Sequence, residues 1–211
     1  MKIGCTSAKE LKLCLLPLHS VCTIFARKKL NCIAMREYPR ATYRHSLAYS
    51  AKSAARCYCP SPLGTIRIES EGDVITSLRF VESEPDLTLQ PATPALQEAV
   101  RWLECYFQGR EPDFLPHISL RGTPFQQSVW QQVAAIPYGA TCSYGDIARR
   151  LGTRSAQAVG QAVGANPVCL IVPCHRVVGA NGTLTGYAYG LERKRALLLL
   201  ERRGFIESSR D

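Results

Sequence analysis

Apolar and polar residues alternate over Thr65-Ile66-Arg67-Ile68-Glu69 and again over residues 74–80, with Glu71-Gly72-Asp73 between them. Period-two alternation about a glycine turn predicts a β-hairpin. Residues 82–94 are acidic and contain proline, so they read as a loop. Thr93-Pro94 then opens a helix with proline in its first turn. Leu96, Val100, Leu103 and Phe107 fall on one helical face, and Gly109 stops it. A second start lies at Thr123-Pro124-Phe125-Gln126, where threonine and glutamine three residues on form a capping box. Phe125, Val129, Trp130, Val133 and Ile136 give that helix an apolar stripe, which reads as core. Pro137 and Gly139 make a turn. Short helices are expected over 143–151, capped by Ser143 and closed by Gly152, and over 155–165. Residues 168–172 form a buried apolar run that Pro173 ends. Asn181-Gly182 marks a tight turn, 186–190 a glycine-flanked aromatic loop, and 191–203 a last helix before Gly204.

Charge divides this pattern in two. The chain of 211 residues carries a formal net charge of +9. Residues 1–56 hold 11 Lys+Arg and 2 Asp+Glu, whereas 57–211 hold 15 of each. The whole excess therefore sits in the leader, and the rest can meet an anionic polymer only through a local patch. The leader is expected to be disordered or to lie outside the folded domain, with Met35 as an alternative start. Its apolar stretch, 13–26, is too short to span a bilayer and is followed by the wrong charges for export. The ten cysteines show no zinc spacing; Cys57 and Cys59 are one residue apart. They read as reduced thiols of an intracellular protein, cytoplasmic or, in a eukaryote, nuclear.

The chemistry is concentrated in Pro173-Cys174-His175-Arg176. A thiol at the end of a buried run, beside an imidazole and a guanidinium, is a candidate low-pKa nucleophile. Most free cysteines are merely small core residues, so the neighbouring pattern decides. Glu201, near the end of the last helix, opposes the helix dipole and should have a specific partner. The helices over 143–151 and 155–165 read as a helix-turn-helix. Arg149, Arg150 and Arg154 cluster at its turn, where they could meet phosphates. Gly160 and Gly164, four apart, leave one face of the second helix bare.

Pro-Cys-His-Arg-Val at 173–177 resembles the active-site signature of the O6-alkylguanine-DNA alkyltransferases, or methylated-DNA–protein-cysteine methyltransferases. The match runs from about Gly122 to Glu201 and includes Gly-Thr-Pro-Phe-Gln at 122–126, Ile-Pro-Tyr-Gly at 136–139, Ser-Tyr-Gly at 143–145, Ala-Asn-Pro at 165–167 and Thr-Gly-Tyr-Ala at 185–188. The resemblance implies an α+β protein: a small ribonuclease H-like α/β domain over 57–121, a scaffold without evident chemistry, then a mainly helical domain over 122–207 with a winged-helix-like helix-turn-helix. It implies direct, irreversible, single-turnover transfer of an alkyl group from guanine O6 in double-stranded DNA, and possible action on O4-alkylthymine. It implies no metal or organic cofactor, no membrane and a monomer.

The resemblance also carries roles. Cys174 is the nucleophile, His175 its base through a water, Glu201 the orienter, and Asn166 holds the active-site turn. Tyr187 donates toward guanine N3. The backbone N–H of Ala188 faces O6, where the family usually has serine. The carbonyls of Cys174 and Val177 accept from the exocyclic amine, and Tyr144 crowds the 3′ phosphate during base flipping. The second helix, with Gly160 and Gly164, enters the minor groove. Gln157 stands where the family places an intercalating arginine, with Arg154 nearby, and Tyr189 replaces a glycine at the pocket mouth. A non-catalytic lesion-binding relative is the alternative; those proteins lack the cysteine that is present here. A zinc-bearing regulatory fusion and a cysteine hydrolase fit less well, the first for want of a four-cysteine module, the second because of the helix-turn-helix and Tyr187 loop.

Overall fold

The computed structural model describes residues 54–82 and 91–203. The leader up to residue 53, the loop over 83–90 and the stop at Gly204 lie outside the described residues.

Three antiparallel strands form the first layer in the order β1 (Ala54–Cys59), β2 (Thr65–Glu71), β3 (Val74–Val81). The predicted hairpin is β2–β3, turning at Gly72 with φ +58, a backbone state that favours glycine. Ile66 pairs with Phe80 and Ile68 with Leu78, so period-two alternation puts one face inward. A bulge at Glu69/Ser70 shifts the register, and β3 then buries both Ser77 and Leu78. The first strand begins at Ala54, inside the stretch read as leader. Ala54, Ala55 and Arg56 pair with Glu71, Ser70 and Glu69. A chain starting at residue 57 thus loses three of the six β1 pairs. It is expected to melt a few degrees below one starting at 54, at about 1 kcal/mol per lost hydrogen bond. Equal melting temperatures would show that these pairs contribute nothing.

Helix α1 (Pro94–Phe107) packs on the sheet through Ala95, Leu96, Ala99, Trp102, Leu103 and Tyr106, with Thr93 capping Leu96. The exposed edge of β3 is not left open. Ile75 exchanges hydrogen bonds with the 117–119 segment, and Leu78 donates to the Pro167 carbonyl (2.9 Å) and accepts from Cys169 (2.9 Å). The sheet therefore continues into the backbone just before Cys174.

The helical half contains α2 (Pro124–Ala134), α3 (Tyr144–Arg150), α4 (Ala156–Gly164) and α5 (Leu191–Arg203). Thr123 and Gln126 make the expected capping box, and Ser143 with Asp146 makes a second. Val129, Trp130, Val133 and Ile136 are buried, but Phe125 is 38% exposed. Periodicity gave the face correctly; Phe125 sits in the first turn, beyond the reach of the core. Helices α3 and α4 meet at the turn closed by Gly152 (φ +67) and pack against α2 in a helix-turn-helix arrangement. A two-residue parallel pair, β4 (Cys142–Ser143) with β5 (Val177–Val178), ties this unit to the segment after Cys174. One apolar core runs through both halves, from Ile66 and Leu103 to Trp130, Val172 and Leu197. Among the described residues, no helix is long and apolar enough to cross a membrane.

Candidate active site

Residues 168–172 fold as a buried tight turn rather than a strand. Leu170 has φ +68, and Val172 donates back to the Val168 carbonyl at 3.0 Å. Asn166 clamps the turn at both ends: its Oδ1 accepts from Val168 N–H (3.0 Å) and its Nδ2 donates to the Val172 carbonyl (2.8 Å). Pro173 follows, and Cys174–Arg176 form one 3-10 turn with all three side chains buried. The segment is therefore not extended. From this single tight coil His175 and Arg176 both reach Glu201.

His175 is fully buried and its Nε2 lies 2.7 Å from Glu201 Oε1. Beside that carboxylate, Nε2 carries the proton and donates. Nδ1, the remaining lone pair, is buried without a hydrogen-bond partner among the described residues. Glu201 has the partners its position called for. It accepts from Tyr106 O–H (2.8 Å), from Gly139 N–H (2.9 Å) and from the Arg176 guanidinium at 2.9–3.1 Å. Arg176 Nη1 also donates to the Ile136 carbonyl at 2.6 Å, and its guanidinium lies over the Tyr138 ring.

Burial alone would raise the Glu201 carboxyl, but the His175 hydrogen bond and the charges around it bring it down to about 2. Burial lowers His175, so its imidazole is neutral at neutral pH and Arg176 is the charge that holds the carboxylate there. The thiol departs from expectation. Burial, the largest influence, pushes Cys174 up. The Asn166 amide, the N–H groups of Cys174 and His175 and the Lys194 ammonium all favour the thiolate without overcoming it. A neutral thiol thus rests beside a neutral imidazole, with its stabilisers already placed.

Three residues of this centre were not singled out as site residues. Tyr106 comes from α1, in the half read as free of chemistry. Its hydroxyl touches both Glu201 and His175 Nε2 (3.2 Å). The signal was a tyrosine on a helix face otherwise meant for the core, since a buried phenol needs a partner. Arg176 was noticed only as a neighbour of the thiol. Lys194 is fully buried, and burial lowers its ammonium to about 8. It donates to the carbonyls of Val177 (2.6 Å), Thr185 (2.8 Å) and Gly186 (3.2 Å). Its spacing from Leu197, Leu198 and Glu201 puts it on the buried face of α5, a place where a lysine must serve a purpose.

Tyr187 is half-buried, with its hydroxyl enclosed and without a partner among the described residues. Burial pushes that phenol well up, so it remains an O–H donor. Ala188 is exposed beside it. Val177 is buried, and its carbonyl already accepts from Lys194. Tyr144 lies across the same loop, its hydroxyl 3.3 Å from the Gly186 carbonyl, and its ring 3.8 Å from where a Cβ on Gly160 would stand. Tyr189 does not stand free: its ring packs edge-on against Phe80 and Tyr187, both at 5.4 Å. The remaining group, Arg154, Gln157 and Gly164, is exposed along the outer side of α4, with Gly160 half-buried behind Tyr144. A side chain on Gly164 would meet nothing within 4 Å. Arg149 pairs with Asp146 at 2.8 Å, which ties up one cation of the expected cluster. Among the described residues, no group of three or more His, Cys, Asp or Glu could hold a metal ion.

The site thus joins a thiol, a neutral imidazole with one open lone pair, a charge-clamped carboxylate and a sequestered phenol, behind an exposed helix. The comparisons agree with one another about such a chain. Residues 56–119 match the ribonuclease-like domain of the 6-O-methylguanine DNA methyltransferases, and 124–203 match their DNA-binding domain. The methylated-DNA–protein-cysteine methyltransferase of Mycobacterium bovis is 49% identical over 146 residues, covering 67% of this chain and 88% of that protein. That of Haemophilus influenzae is 41% identical over 157 residues, covering 71% and 87%. A crystal structure of Mycobacterium tuberculosis OGT in complex with DNA superposes with a TM-score of 0.66 at 45% identity, covering 72% of this chain and 96% of that one. The chain belongs to the methylated-DNA–protein-cysteine methyltransferase family.

Proposed function

We propose that this protein repairs DNA by moving an alkyl group from guanine O6 to Cys174, once per molecule. The observation that carries the reading is the buried thiol set beside a neutral His175 whose second nitrogen is clamped by Glu201. Sulfur attacks the alkyl carbon as the bond from that carbon to O6 breaks. The thiol proton passes to His175 Nδ1, through a bridging water, and the resulting imidazolium is stabilised by the Glu201 carboxylate. Lys194, Asn166 and two N–H groups stabilise the sulfur while it carries charge. The leaving base takes a proton from the Tyr187 hydroxyl, and the imidazolium proton then returns to that phenolate through solvent. The proton lost by the thiol thus balances the one gained by the base, and His175 and Tyr187 both end neutral. The product is a thioether, and no group here can reverse it.

The lesion must leave the helix to reach a buried thiol. The outer side of α4 is the surface for this duplex, with Gly164 allowing close approach, Gly160 giving room for the Tyr144 ring behind it, and Arg154 facing phosphates. Tyr144, between α4 and the loop, crowds the flipped nucleotide. Ala188 N–H faces O6, and the Cys174 and Val177 carbonyls receive the exocyclic amine through their free lone pairs. The working unit is the pair of domains over 54–121 and 122–207, acting wherever the cell keeps its DNA, in the cytoplasm or a nucleus. Stoichiometry tests this directly. Excess duplex carrying O6-methylguanine should yield repaired guanine equal to the protein added and then stop. Continued turnover, or no repair, would contradict it.

Gln157→Arg is expected to speed repair of duplex lesions, by several-fold, while leaving reaction with free O6-benzylguanine unchanged. Extrusion costs a few kcal/mol of stacking and pairing. An arginine in the gap can stack, donate and attract phosphate, whereas glutamine is shorter and neutral. The difference is on the order of 1 kcal/mol. Single-turnover rates on the two substrates check it, with the free base as internal control.

A further inference from the structure

We infer that Arg193 is a positioning residue for the base-binding loop, latching residues 186–190 to the N-terminal sheet and acting through Tyr187. The inference rests on the alkyl-transfer reading above.

Arg193 lies in the first turn of α5, where a cation opposes the helix dipole. Its contacts explain its place. Nε donates to the Leu63 carbonyl in the β1–β2 turn at 2.8 Å. Nη1 donates to Glu82, just past β3, at 2.6 Å, and to the Tyr189 carbonyl at 3.1 Å. The guanidinium plane covers the Phe80 ring, 5.2 Å from its centroid. One side chain thus joins two parts of the sheet to one point of the loop. Gly64 makes room for it, since a Cβ there would come within 3.1 Å of Nη2.

A line of rings carries the same connection inward. Phe80 of β3 packs against Tyr189, and Tyr189 packs against Tyr187. Cys169 lies near the Tyr189 hydroxyl, in the segment that extends the sheet edge through Leu78. The loop itself has little internal structure. Gly186 (φ +44) and Gly190 (φ +90) bound it, and Gly190 N–H donates to the Tyr187 carbonyl at 3.1 Å. Lys194 holds its start, at Thr185 and Gly186. Arg193 holds its end. Tyr187 stands between the two, carrying the sequestered hydroxyl. A glycine-bounded loop freed at one end regains backbone freedom, and a donor must be placed to a fraction of an ångström to act in a transition state. A lysine at 193 could keep the charge but not the fork that reaches three carbonyl and carboxylate oxygens while lying flat on Phe80.

A double-mutant cycle on the full chain tests this, with single-turnover transfer from O6-methylguanine duplex as the readout. Arg193→Met should lower the rate at saturating DNA roughly tenfold, as expected of a misplaced donor, with plain-duplex affinity unchanged. Arg193→Lys should recover only part of the loss. In a Tyr187→Phe background, Arg193→Met should change the rate less than about twofold, because the group it positions is gone. Glu82→Gln, at a side chain that is 80% exposed, removes one strut without endangering the fold. It should show a smaller loss with the same dependence on Tyr187. Equal losses in both backgrounds for both variants, or a matching loss of plain-duplex affinity, would overturn the latch while leaving the transfer reading intact. No transfer by the wild-type protein would overturn the transfer reading itself, and the latch with it.

Discussion

Replacing Cys174 by alanine is expected to abolish alkyl transfer and to leave a folded protein that still binds lesion duplex. The sulfur is the only atom in the site that the proposed reaction consumes. It is not what holds the structure: the turn around it is pinned by Asn166 to Val168 and Val172 and by the 3-10 turn that follows. Alanine is nearly the same size, so the packing cost is small. Tyr144, Tyr187 and the outer side of α4 are untouched. Gel-shift titrations on lesion and plain duplex should give dissociation constants within about threefold of wild type, less than 1 kcal/mol. Loss of all DNA binding in a folded Cys174→Ala protein would show that chemistry and recognition are not separate here.

Glu201→Ala is expected to cause the largest loss of stability, about 3–5 kcal/mol, the usual result of removing one partner of a buried ion pair. The Arg176 side chain is 9% exposed and would keep its charge without the carboxylate. Tyr106 O–H, Gly139 N–H and His175 Nε2–H would lose their acceptor as well. A fall in melting temperature of about 10 °C is the corresponding observation. Glu201→Gln gives the gentler test through pH. The Glu201 carboxyl stands at about 2 in the fold against an ordinary 4.5. A depressed folded value means stabilisation fully present above the unfolded value and lost as pH falls toward the folded one, here between about 4.5 and 2. By linkage the amount is on the order of 3 kcal/mol. His175 adds to acid loss, because its folded value is lowered and the unfolded chain takes the proton first below 6.5. Wild-type stability should therefore fall more steeply than that of Glu201→Gln below pH 4.5. Parallel curves would mean that the carboxylate is not clamped.

The parts of this protein that sequence made legible are those set by short-range physics. The serine and threonine caps and the Gly72 and Gly139 turns depend on neighbours a few residues away. The core face of α1 was only half legible, since Leu96 and Leu103 are buried but Val100 and Phe107 are half-buried, while Ala99, Trp102 and Tyr106 fill the core. Cys174, His175 and Glu201 were legible because the first two are adjacent and the third sat against its helix dipole. Phe125 shows the limit of a periodic pattern, which gives a direction but not where the core ends. The neutral state of Cys174 was hidden for a different reason. Adjacency to His175 and Arg176 implied an activated thiol, whereas both side chains turn to Glu201 and burial, a property of the whole fold, outweighs the Asn166, Lys194 and N–H groups that favour the thiolate. Tyr106 and Arg193 were hidden by distance along the chain: their partners lie 69, 95, 111 and 130 residues away. Both join the sheet half to the site, which is why that half looked inert when taken alone.

The most direct test of the central claim is the mass of the protein after reaction with duplex DNA carrying O6-methylguanine, followed by peptide mapping. The account predicts a gain of one methyl group, about 14 Da, on Cys174 and on no other of the ten cysteines. An unchanged mass, or a methyl group on any other residue, would contradict it.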